Sequence, residues 1–138
     1  MTVIRTDARL FSPDPCSVSD ARRWLRDVAR PCLNDEEVDD LVLAGSELVT
    51  NALLHGQGDI EVRVVCEDSM FHLEVVDSAP WNPEQIQPSP SGTLSRGGRG
   101  LTIVATLASS WGVASRENIG GKRVWVTFDR STCAKTTE

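Results

Sequence analysis

Between residues 34 and 56 the apolar positions recur at helical spacing. At about 100° per residue, Val38, Leu41, Val42, Gly45, Leu48, Val49 and Ala52 share one face. That stripe predicts a helix packed on a core. Asn34 with Glu37 makes a capping box at its start, and Gly56 and Gly58 supply its stop. Asp35, Glu36, Glu37, Asp39 and Asp40 load the first turns, where acids complement the helix dipole. Glu47 and Asn51 lie opposite the stripe, one turn apart, with His55 one turn further. Leu43 and Leu54 flank Glu47, which predicts a partial cover over this side. Thr50 and Asn51 are mediocre helix formers placed mid-helix without a capping role.

Elsewhere the pattern changes period. Residues 3 to 11 alternate loosely and predict an edge strand; Ser12-Pro13-Asp14-Pro15 then breaks the chain. Ser17 with Asp20 reads as a capping box opening a helix to about Arg30, apolar at Ala21, Trp24, Leu25 and Val28. Arg22, Arg23, Arg26 and Arg30 gather on another side, and Pro31 ends the helix. Ile60, Val62 and Val64, then Phe71, Leu73 and Val75, alternate with polar neighbours as two half-buried strands joined at Glu67-Asp68-Ser69. The second strand runs into Asp77-Ser78-Ala79-Pro80. Residues 80 to 97 carry four prolines and few apolar positions, a length that suits a functional lid better than a connector. Gly97-Gly98-Arg99-Gly100 leads into a short apolar helix from Leu101. Strands follow at 111–114 and 124–128, around Gly120-Gly121. The order β, α, α, β, β, lid, α, β, β predicts an α+β two-layer sandwich. Its mixed, mostly antiparallel sheet is covered by helices on one face.

Composition adds bounds. The 138 residues suit a single domain (1–138), with a core over about 3–129 and a polar tail from about 130. A net charge of −6 argues against direct nucleic-acid binding, which leaves a basic footprint. Cys16, Cys32, Cys66 and Cys133 are widely spaced and signal neither a zinc site nor a disulfide scaffold. Cys66 reads as a buried thiol, the others as incidental. No signal-peptide pattern and no membrane-length apolar run occurs, so a reducing cytoplasm is the default.

Three features carry chemistry: Glu47 and Asn51 stacked on a helix, Asp77 at a strand end, and Gly98-Arg99-Gly100 at a helix start. A carboxylate and an amide oxygen at i and i+4 form a platform for Mg²⁺ and a general base; a solvated helix face is the plain alternative. Backbone N–H groups at a helix start suit phosphate. In this order the three resemble the ATP-binding fold shared by histidine kinases, gyrase-type topoisomerases and mismatch-repair ATPases. The similarity is greatest to its small single-domain branch, the bacterial anti-sigma-factor serine kinases. It runs from about residue 17 to 128 and rests most on Glu47-Leu48-Val49-Thr50-Asn51-Ala52-Leu53-Leu54-His55-Gly56, which resembles the family's N box.

The resemblance implies that Asn51 ligates Mg²⁺, that Glu47 is the general base, and that Asp77 accepts a hydrogen bond from the adenine amino group of ATP. Gly98, Arg99, Gly100 and Leu101 match the glycine box over the phosphates, with Arg96 and Arg99 countering their charge. His55 belongs to the motif or caps the helix. Two positions depart from the family. Ala79 stands where a glycine is usual, so a methyl group crowds the base or changes a backbone angle. Lys122 or Arg123 replaces a small hydroxyl residue; Ala79 and Arg123 are then the places where a purine has to fit. Both departures bear on nucleotide affinity more than on fold. By the same resemblance the chain is a homodimeric anti-sigma factor with serine/threonine kinase activity, holding a sigma factor and phosphorylating an anti-anti-sigma (STAS-type) partner. The arginine stripe is the candidate docking face. A regulator that keeps the fold but uses ATP poorly or not at all is the alternative.

Overall fold

The computed structural model describes residues 3–80, 104, 106–116 and 120–130. Five strands, β1 (Val3–Phe11), β2 (Ile60–Glu67), β3 (Met70–Asp77), β4 (Ser110–Ser115) and β5 (Lys122–Asp129), form one sheet in the order β1-β2-β3-β5-β4. Two helices, α1 (Cys16–Ala29) and α2 (Asp35–His55), cover one face. Every described pairing is antiparallel, so the α+β two-layer sandwich read from the pattern is the architecture. The glycine box, the expected lid beyond Pro80 and most of the short helix after it lie outside the described residues. Val104, Thr106 and Leu107 of that helix are helical.

The core follows the two periods. Ile60, Val62, Val64 and Cys66 of β2, Phe71, Leu73 and Val75 of β3, and Val124, Val126 and Phe128 of β5 are buried on the helix side. Phe71 and Phe128 are a cross-strand pair, with rings stacked at a centroid distance of 4.7 Å. The predicted stripe of α2 is buried throughout. Gly45 within it lets α1 approach closely, because a side chain there would run into Leu25. The central strands and α2 thus set the frame, while β1 is a mostly exposed edge.

The two helix starts differ. At α2 the capping box is complete: Glu37 N–H donates to Asn34 Oδ1 at 2.7 Å, and Asn34 N–H to Glu37 Oε1 at 3.0 Å. The acids behind it crowd, and the Asp40 carboxyl is held above its ordinary range by burial first, then by Glu36, Asp39 and Glu37. At α1 the box expected from Ser17 and Asp20 does not form. The helix begins at Cys16 behind Pro15, and the Asp14 carboxylate takes the Cys16 N–H at 2.8 Å. Ser17 instead donates its hydroxyl to the Ser12 carbonyl at 2.7 Å, and Asp20 turns to Arg23.

The cysteine reading also changes. Cys32, in the turn after α1, and Cys66, on the core side of β2, form a disulfide across 34 residues. Spacing along the chain cannot show this, because the pairing depends on how α1 lies on the sheet. Arg130 closes over it, donating to the Glu67 and Cys32 carbonyls at 2.7 and 2.6 Å.

Candidate functional site

The end of α2 and the end of β3 meet at one point. Asp77 closes β3 on the core-facing side and is only 3% exposed. Gly56, just past α2, lies so near that a Cβ there would stand 2.7 Å from the Asp77 Cγ and Oδ2. The Ser78 N–H donates to the Gln57 carbonyl at 2.8 Å and ties the two segments together. Gly121 forms a third wall: its φ is +100°, and a Cβ would strike the Asp77 carbonyl oxygen. Glycine alone turns the chain there without strain.

The Asp77 carboxylate is already engaged. Lys122, its register partner across the β3–β5 ladder, places Nζ 2.9 Å from Oδ1 and 2.7 Å from Oδ2. The Ala79 N–H donates to Oδ1 at 2.8 Å. Strand parity explains the lysine: Lys122 shares a side with Val124, Val126 and Phe128 and so points inward. Arg123 has the other parity and pairs with Glu74 at 2.8 Å on the open face. The expectation that Arg123 borders a bound purine is therefore overturned; of the two alternatives left by the sequence, Lys122 is the one beside Asp77. Ala79 is buried, and no described non-glycine residue has a positive φ, so its methyl group imposes no unusual backbone angle.

Two turns back along α2 the surroundings differ. Glu47 and Asn51 are half-buried and share one side of the helix, one turn apart. Among the described residues neither side chain makes a hydrogen bond or an ion pair. Thr50 beside them is accounted for locally, since its hydroxyl donates to the Ser46 carbonyl at 2.8 Å. Leu43 and Leu54 are 41% and 69% exposed, and the cover expected over them falls in residues outside the description. An amide oxygen beside a carboxylate fits Mg²⁺, which takes one or two protein oxygens together with phosphate and water. The donor chemistry of Asn51 and Glu47 is compatible with that ion.

A histidine kinase-like ATPase domain model matches residues 11–128. The chain belongs to that family. Among its relatives are anti-sigma F factors of Clostridium acetobutylicum, 34% identical over 97 residues, covering 63% of this chain and 67% of that protein. One from Geobacillus stearothermophilus is 31% identical over 112 residues, covering 74% of this chain and 75% of that protein.

Within this family member, the sequence-predicted positions fall into three groups. Asp77 and Ala79 are joined by a hydrogen bond, and α2 carries Glu47 and Asn51 toward the same end of the sheet. Arg96, Gly98, Arg99, Gly100 and Leu101 lie outside the described residues. The α1 arginines stand apart and are partly committed. Arg22 donates from Nε and Nη2 to Ser46 Oγ of α2 at 3.0 and 2.9 Å, and Arg26 reaches Asp39 at 3.2 Å. Arg23 and Arg30 remain exposed. Sequence reasoning passed over the walls around Asp77. The pattern marks Gly56 as a helix stop and the end of the N-box-like motif and Gly121 as a turn, and neither reading places them against Asp77, although the turn residue immediately precedes the lysine that faces it.

On the open face of the sheet, a concavity of about 280 Å³ is lined by Arg63, Glu67, His72, Glu74, Arg123 and Trp125. It lies across the sheet from Asp77, and within it His72 bonds Thr127 at 3.0 Å and Glu67 at 3.1 Å, while Arg123 pairs with Glu74 at 2.8 Å. No described helix is long and apolar enough to cross a membrane.

Proposed function

We propose that this chain is an anti-sigma factor that binds Mg-ATP and phosphorylates a serine or threonine of an anti-anti-sigma partner. The observation that carries the reading is the α2 face: Glu47 and Asn51 stand one turn apart with no partner among the described residues, in a chain similar to anti-sigma F factors. With nucleotide bound, Mg²⁺ supplies charge neutralisation at the transferring phosphoryl group. Asn51 is its protein ligand, and Glu47 accepts the proton of the attacking hydroxyl. Asp77 receives the base, and Arg96 and Arg99, beside the glycine box of Gly98, Arg99, Gly100 and Leu101, meet the phosphates. A homodimer in the cytoplasm suits this role. That compartment keeps thiols reduced, so Cys32 and Cys66 would stand there as a neighbouring dithiol.

The sigma factor is assigned to the α1 surface. Because Arg22 and Arg26 also hold α1 to α2, Arg23 and Arg30 are the cleaner probes of docking. The decisive experiment measures phosphate transfer from Mg-ATP to a purified candidate partner of the STAS type. Transfer by the parent and its loss in Glu47→Ala, with sigma binding retained, is the expected result. Full transfer by Glu47→Ala would overturn the base assignment. A second reading has one observation in its favour. With Asp77 already paired to Lys122, the chain would bind a sigma factor without using ATP, and neither protein would transfer phosphate.

A further inference from the structure

We infer that Lys122 sets the nucleotide affinity of this site by occupying the Asp77 carboxylate from within the chain. The inference rests on the proposed nucleotide site and names the residue that governs it. An exocyclic amino group of a base is a neutral donor and needs a free acceptor oxygen. Here an ammonium lies against both oxygens, at 2.9 and 2.7 Å, and Oδ1 accepts a second bond from Ala79, so one acceptor site is left, on Oδ2, and it shares that oxygen with the ammonium. Charge-assisted bonds of this kind are about twice as strong as neutral ones, so a base amino group is the weaker competitor.

Lys122 has no easy exit. Its backbone is fixed by register with Asp77 and by the Gly121 turn behind it. Its side of β5 continues into Val124 and Val126, which are buried. An ammonium pushed off the carboxylate would be buried without its anionic partner, which is strongly unfavourable. The pair therefore acts as an internal competitor for the base.

The sign of the effect separates this from simpler roles. A lysine close to a triphosphate attracts it, so losing the charge alone weakens binding to every nucleotide alike. Removing an internal competitor tightens binding, and only for bases that carry their amino group at purine position 6, where guanine carries an oxygen. The test titrates the full chain, Lys122→Thr and Lys122→Gln with Mg-ATP, Mg-ADP and Mg-GTP by calorimetry, with folding checked by circular dichroism and thermal melting. Lys122→Thr should bind the adenine nucleotides about ten-fold or more tighter than the parent, the scale separating a charged from a neutral donor. Binding of Mg-GTP should not gain. Lys122→Gln, which keeps a neutral donor in place, should fall between, and it carries the test if the threonine variant does not fold. Equal or weaker adenine binding in the variants, or an equal gain for Mg-GTP, would overturn the role of Lys122 and leave the nucleotide site standing. Folded parent and variants that all ignore millimolar nucleotide would overturn the nucleotide site itself.

Discussion

The two ends of the candidate site are built on opposite principles. Along α2, Glu47 and Asn51 are half-buried oxygens that have no partner among the described residues. At the end of β3, Asp77 is buried and holds three hydrogen bonds, two of them from an ammonium. Open acceptors on a rigid helix cost little to maintain and are ready for a cation or a proton. A buried carboxylate is tolerable only when paired, and here the pairing sets an ammonium in competition with any other donor. The end that follows the family pattern leaves its acceptors open, and the end that departs from it, at Ala79 and Lys122, engages its carboxylate within the chain.

The sharpest way to break this contrast is to remove each acid in turn. Asp77→Ala leaves the Lys122 ammonium buried without its partner and should destabilise the fold by about 3–5 kcal/mol. Glu47→Gln should change stability by less than about 0.5 kcal/mol. Urea unfolding of the two variants checks both, and similar losses would erase the distinction. A smaller effect is expected where the two ends touch. Gly56→Ala puts a methyl group against the Asp77 carboxylate and should cost about 1–3 kcal/mol, seen as a lower denaturation midpoint at unchanged slope.

The smallest effect lies at the other end of α2. The Asp40 carboxyl is held above its ordinary range in the folded chain, so its ionisation opposes folding. Its destabilising effect appears as pH rises through the unfolded value near 3.8 and is complete above the folded one. Asp40→Asn should therefore melt slightly higher than the parent at neutral pH, and the advantage should vanish in acid. A constant advantage at all pH values would point instead to helix propensity.

Periodicity made the frame legible. The α2 stripe and the alternation of β2 and β3 each predict the face that the structure buries, because burial follows the 3.6 and 2.0 periods. The Asn34–Glu37 box forms because both partners lie within one turn. The Ser17–Asp20 pair has the same spacing and fails, since Asp14, two residues before the helix, reaches the first N–H sooner. The Cys32–Cys66 bond was not legible because it joins two segments whose approach depends on helix packing. The site falls between these cases. Parity along β5 already assigns Lys122 to the core side with Val124 and Val126, and Arg123 to the open face. What parity does not show is that the core side ends, at that height, on a carboxylate.

Asp77 and Lys122 are also the last rung of the β3–β5 ladder and stand 45 residues apart in sequence. All the chain between them, β4 and Gly98, Arg99 and Gly100 included, is one excursion whose two ends meet at that rung. The entropy of closing such a loop grows only with the logarithm of its length. The rung therefore closes the excursion, while β4 within it is held separately by its own pairing with β5. Loosening the carboxylate from the ammonium would undo a side-chain clasp at the point where the excursion leaves β3 and returns to β5.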